Sequence, residues 1–135
     1  MSMTVNEYMQ HKVVSVTPGT RLSEAVETLL SHRLTGAPVV DDEKKLIGFL
    51  SEQDCLAPLI VSSYHCEGEP LVHEVMSTTL VTVTPQEPIT SVAELMTKST
   101  PKIYPVVDDM RKLVGTITRS DVLKALVSQV ETCYR

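Results

Sequence analysis

No run in this sequence approaches the roughly 20 consecutive apolar residues that a membrane span requires. Its first residues lack the charged-then-apolar pattern of a secretory signal. Both absences lead us to expect a soluble, cytoplasmic protein with no membrane partner. Cysteine is scarce: Cys55, Cys66 and Cys133 are odd in number and too few for a disulfide framework, which suits a reducing compartment. Basic residues are outnumbered, 12 Lys and Arg against 17 Asp and Glu, and they are scattered, so the net charge of −5 argues against nucleic acid. There is no Gly-rich phosphate loop, no GxSxG and no CxxC pair, and no catalytic set emerges, so an enzyme is not expected. His65-Cys66, with Cys55 and His73, sketches a zinc site at most, and the spacings match no common zinc motif. Accidental loop composition is the preferred reading of that group, and His11 and His32 read as surface residues.

What is present is a duplication. In a chain of 135 residues, 42% of them apolar, the sequence matches itself without a gap at an offset of 67, Val5 falling on Val72. "VVSVTP" (13–18) falls on "LVTVTP" (80–85), and "PVVDDEKKLIG" (38–48) on "PVVDDMRKLVG" (105–115). Two copies imply a paired fold rather than a solenoid. The boundaries that follow are 1–66 for the first repeat with its connection and 67–135 for the second.

Each copy reads alike. Val14 and Val16 alternate with polar residues as a short half-buried strand, and Val81 and Val83 repeat it. Leu22, Ala25, Val26, Leu29 and Leu30 then line one helix face, as do Ile89, Val92, Ala93 and Met96. Two strands follow, 37–40 with 46–50 and 103–107 with 113–117, and the tight polar turns between them imply antiparallel hairpins. A closing helix carries Cys55, Leu56, Leu59 and Ile60, or Val122, Leu123, Leu126, Val127 and Val130. The expected fold is α/β (α+β), two β-α-β-β-α units related by a pseudo-twofold axis and packed through their sheets. Pro58 should kink or cut short the first closing helix. Residues 61–71 read as the connection.

This pattern resembles a tandem pair of cystathionine β-synthase (CBS) domains, a Bateman module. The resemblance covers residues 4–130 and is carried by "VVSVTPGTRLSEAV", "GAPVVDDEKKLIGFLSEQD", "LVTVTPQEPITSVAELM" and "YPVVDDMRKLVGTITRSD". It implies a regulatory module that binds adenosyl compounds (AMP, ADP, ATP, S-adenosylmethionine) in clefts between the repeats. It also implies homodimers in which four repeats form a flat disc.

The strand-to-helix junctions hold the candidate site. Ser51 with Asp54, and Thr118 with Asp121, have the spacing of a helix cap, and a cap alone accounts for them. A capping box prefers a longer Glu or Gln at the acidic position, so Asp twice calls for a further reason. The resemblance supplies one: a carboxylate there accepts from both hydroxyls of a ribose. The hydroxyl three residues earlier and the free helix amides meet phosphate. It further implies an adenine slot formed by Val16, Ala37 and Pro38 in the first copy and by Val83, Tyr104 and Pro105 in the second, though ordinary core is the commoner reading for such residues. Thr35 and Gly36, then Lys102 and Ile103, take positions that meet phosphates. Lys102, Arg119 and Ser120 make the second copy the better nucleotide site, whereas Glu52 opposes a phosphate in the first.

The expected ligand is thus an adenosyl compound bound for regulation, with no obligatory cofactor. The expected partners are a second copy of the chain and an unidentified regulated protein. Two alternatives stand beside this reading: a ligand-free dimerisation or scaffold module, and, less favoured, a metal or redox sensor using the loop Cys and His residues.

Overall fold

A computed structural model describes residues 3–66, 68–98, 101 and 103–134. Among these residues helices and strands are mixed, and the strands form two two-stranded sheets. The first repeat contains helix α2 (Leu22–Ser31), strands β1 (Gly36–Val40) and β2 (Leu46–Ser51) and helix α3 (Glu52–His65). The second contains α5 (Ile89–Lys98), β3 (Ile103–Val107), β4 (Leu113–Thr118) and α6 (Arg119–Cys133). Two four-residue helices that periodicity cannot reveal, α1 (Val5–Tyr8) and α4 (Val72–Val75), lead the repeats.

Both hairpins are antiparallel, as the turns imply, and both shift register before the turn, Val39 facing Gly48 while Val40 faces Leu46, and Val106 facing Gly115 while Val107 faces Leu113. The repeated Asp explains the turns. Asp41 accepts from the amides of Glu43 and Lys45 at 2.8 and 3.0 Å, and Asp108 from those of Met110 and Lys112 at 2.8 and 2.9 Å. Such side-chain bonds let the chain reverse through the left-handed conformation seen at Lys44 (φ 64°) and Arg111 (φ 63°).

The expected leading strands are reduced to single residues. Val16 bridges Val39 in parallel, and Val83 bridges Val106. Proline follows each two residues later, at Pro18 and Pro85, where it has no amide to extend a ladder. On the predicted helix face Leu22, Ala25 and Leu29 are fully buried, but Leu30 is 61% exposed. The apolar stripe of α2 is therefore narrower than its composition suggests.

Pro58 does not end α3, which continues to His65. The missing amide orphans only the carbonyl of Asp54, an exposed residue in the first turn that water can serve. The connection consequently begins later than expected, at Cys66, whose left-handed backbone (φ 53°) terminates the helix.

The compact units do not follow the repeat boundaries. One unit joins the N-terminal stretch through Val13 to the chain from Val81 onward; the other runs from Val14 to Leu80. In the first, Val5 is fully buried in a core with Val83, Ile89, Val92, Tyr104, Val106 and Ile117. The amides of Val5 and Asn6 donate to the carbonyls of Glu87 and Pro85 at 2.9 and 2.8 Å. In the second unit, Val72 is buried with Val16, Leu22, Ala25, Val39 and Leu50, and its amide donates to Thr20 at 2.9 Å. Each repeat thus lends its leading helix to the core built by the other. A four-residue helix has no core of its own, so burial of its single valine decides where it docks.

Candidate functional site

In the unit containing the second repeat, β4 runs directly into α6 with Thr118 as the N-cap. The Asp121 amide donates to Thr118 Oγ1 at 3.2 Å, and the Thr118 amide donates to Asp121 Oδ2 at 2.9 Å. Asp121 therefore closes a complete capping box despite its short side chain. Its other oxygen, Oδ1, accepts from Gln10 Nε2 at 3.0 Å. Asp121 is only 5% exposed, the one buried charged residue among the described residues. Its negative charge lies in the first turn of α6, where the free amides favour it.

The first repeat has the same sequence spacing and a looser result. The Asp54 amide donates to Ser51 Oγ at 3.1 Å, but the Asp54 side chain is exposed and does not reach back to the cap. The helix start is instead tied to Thr35, whose carbonyl accepts from the Glu52 amide at 2.9 Å. That bond brings Thr35, Ser51 and Glu52 together at one junction. The equivalent of Thr35, Lys102, lies outside the described residues.

The proposed adenine-slot residues are core. Val16, Ala37, Val83 and Tyr104 are each at most 6% exposed, and Pro38 and Pro105 are buried. Val16 and Val83 use both backbone groups internally, donating to the carbonyls of Pro38 and Pro105 at 3.0 and 3.1 Å and accepting from Val40 and Val107 at 3.0 Å. Gly36 is buried beneath the Phe49 ring, where an added Cβ would sit 2.5 Å from a ring carbon. Ile103 is half-buried, and Arg119 and Ser120 are exposed on the first turn of α6.

Two contacts escaped a reading of the sequence. Gln10 is one; its only trace is the departure from Ser77 at the matching position. The other is Glu69, whose carboxylate accepts from the Ser23 amide and, at 2.7 Å, from its hydroxyl, capping α2 from the connection. Those bonds, the amide first, hold the Glu69 carboxyl below the ordinary carboxylate range.

Among the described residues no three His, Cys, Asp or Glu side chains converge to hold a metal ion. Cys55 is buried, and burial, aided by the charges of Asp54 and Glu52, pushes its thiol up to about 11. No described helix is long and apolar enough to cross a membrane.

Among curated relatives, an uncharacterised protein of Methanocaldococcus jannaschii is 32% identical over 92% of this chain and 43% of its own length. The chloroplastic CBS domain-containing protein CBSX1 of Arabidopsis thaliana is 30% identical over 90% of this chain and 63% of its own. The chain thus spans less than two thirds of either relative. Among solved structures, CBSX2 in complex with AMP is 30% identical with a TM-score of 0.81, covering 95% of this chain and 98% of that one. The CBS domain pair of protein MJ0100, in complex with 5-methylthioadenosine and S-adenosyl-L-methionine, is 26% identical with a TM-score of 0.78 over 92% and 99%. The CBS domain pattern itself matches residues 5–60 and again 72–128. With that pattern in both halves, the chain belongs to the CBS domain family, as a tandem CBS pair.

Proposed function

We propose that this chain is a regulatory module that binds an adenosyl ligand of the AMP, ADP, ATP or S-adenosylmethionine type and signals its presence to a separate protein. The observation that carries the reading is Asp121: a carboxylate fixed at a strand-to-helix junction, in a chain similar to a CBS pair solved with AMP. Asp121 accepts the ribose hydroxyls, Thr118 and the α6 amides face the phosphate end, and Arg119, Ser120 and Lys102 set the phosphate preference. Ile103, Tyr104, Pro105 and Val83 wall the adenine side. The matching set in the first repeat (Asp54, Ser51, Thr35, Gly36, Ala37, Pro38 and Val16) forms a weaker site, since Asp54 is unfixed and Glu52 and Asp54 both place negative charge in the first turn of α3.

Calorimetric titration with adenosine, AMP, ATP and S-adenosylmethionine tests this. At least one should bind, and Asp121→Ala should weaken adenosine and AMP alike by tenfold or more, because hydrogen bonds to charged groups are each worth ~1.5–3 kcal/mol. Binding unchanged in Asp121→Ala would refute the assignment. One observation favours a second reading, the ligand-free scaffold: both Asp121 oxygens already accept hydrogen bonds within the protein.

The same module is proposed to act as a homodimer in the cytoplasm. Leu56, Ile60 and Val61 on α3, and Leu123, Val127 and Val130 on α6, are each more than half exposed. Apolar stripes of this kind mark association surfaces. A monomeric mass by light scattering at micromolar concentration would rule the dimer out.

A further inference from the structure

We infer that Gln10 is a positioning residue that fixes the Asp121 carboxylate for a ribose diol, and thereby makes the second repeat the chain's principal adenosyl site. This rests on the reading of Asp121 as the ribose acceptor. An ionised carboxylate has about four acceptor sites, two on each oxygen. Here the protein fills one on each: Thr118 donates to Oδ2 and Gln10 to Oδ1. By lone-pair count one acceptor site remains on each oxygen, the number that two adjacent ribose hydroxyls need.

The Gln10 amide is delivered from a fixed backbone. Gln10 and Thr116 exchange both hydrogen bonds, at 2.7 and 3.1 Å, two residues before the Thr118 cap. The close approach requires Gly115, where an added Cβ would stand 2.7 Å from the Gln10 carbonyl oxygen. Met9, beside Gln10, is buried in the same core as Val5 and Val122. Gln10 thus reaches Asp121 because the leading segment of one repeat packs in the unit of the other.

The first repeat differs at both bonds, for the Ser51 amide does not donate to Asp54 and, among the described residues, no glutamine reaches it. Ser77 stands where Gln10 would, and it exchanges the same two backbone bonds with Phe49, both at 2.9 Å. Its side chain is too short to go further and bonds the Thr79 amide at 3.3 Å. Asp54 is left exposed, and its carboxylate accepts no hydrogen bond among the described residues. A side chain that must be immobilised on binding weakens affinity by about two- to tenfold. Asp121 arrives already immobilised; Asp54 does not.

The test is calorimetric titration of the full chain with adenosine and with 2′,3′-dideoxyadenosine, beside thermal melting without ligand. Gln10→Ser, which copies the first repeat, should weaken adenosine about two- to tenfold and leave dideoxyadenosine unchanged. Gln10→Glu keeps the size but sets a like charge beside Asp121, and should weaken adenosine further. The inference is overturned if Gln10→Ser leaves adenosine binding unchanged or strengthens it, the latter marking Gln10 as a cover that competes with ribose. Equal weakening of both nucleosides with a lower melting temperature also overturns it, as a purely structural tie. Asp121→Ala separates the two levels: if adenosine fails to bind the wild-type chain, or binds Asp121→Ala equally well, the ribose reading itself is wrong. If Asp121→Ala weakens adenosine while Gln10→Ser does not, only the role of Gln10 is lost.

Discussion

Replacing Asp121 by alanine in the ligand-free protein removes two hydrogen bonds and a charge at once. The Thr118 amide loses its acceptor at 2.9 Å, the Gln10 amide loses its own at 3.0 Å, and the first turn of α6 loses a negative charge. An amide left without an acceptor in a half-buried position costs ~1–3 kcal/mol, and a charge at a helix N-terminus contributes ~0.3–1 kcal/mol. Removing the carboxylate of a 5% exposed residue also relieves its desolvation, which offsets part of the loss. The net expectation is a destabilisation of about 2 kcal/mol, or a fall in Tm of roughly 6–10 °C for a chain of this size. Asp54→Ala is the matched control. That side chain is exposed and accepts nothing within the described residues, so the change should cost about 0.5 kcal/mol or less. Urea unfolding of both variants without ligand, compared at constant m, measures the difference. Equal losses in the two variants would refute the reasoning, because the sequence motif would then matter and the tertiary contacts would not.

Glu69→Gln should lower Tm at neutral pH. The wild-type carboxyl is depressed by Ser23, so its contribution is complete above the ordinary carboxylate range and is lost as pH falls through its lowered folded value. The two melting curves should converge on acidification, and a constant gap down to pH 3 would contradict this. In native protein a thiol reagent should label exposed Cys66 and Cys133 quickly and buried Cys55 slowly, since a thiol titrating at about 11 supplies little thiolate; rapid reaction of all three in folded protein would contradict the burial. Gly115→Ala should destabilise by ~1–3 kcal/mol as an overpacking change, because its Cβ meets the Gln10 carbonyl oxygen at 2.7 Å, whereas Gly19→Ala meets nothing within 4 Å. Equal denaturation midpoints for these two variants would show that Gln10 does not lie against β4.

Local chemistry decided much of this protein, and the sequence carries it openly. The hairpins follow from Asp41 and Asp108 turning the chain between runs of β-branched residues, and the main helices from the spacing of Leu22, Ala25 and Leu29 or of Ile89 and Val92. The strand-to-helix caps at Ser51 and Thr118 were equally legible, because a cap involves residues three apart. Long-range packing decided the rest. Val5 and Val72 are the same residue in matching helices, so nothing local tells either one which repeat's core to enter; burial against Ile89 or Leu22 does. The persistence of α3 past Pro58 depends on that helix face being open to water. Above all, Asp54 and Asp121 stand in one motif at one spacing, yet one is solvent-exposed and the other is buried and held. Beside the Thr118 amide, what holds Asp121 is a glutamine 111 residues away in the chain, brought into reach because the first leading segment folds into the second repeat's unit.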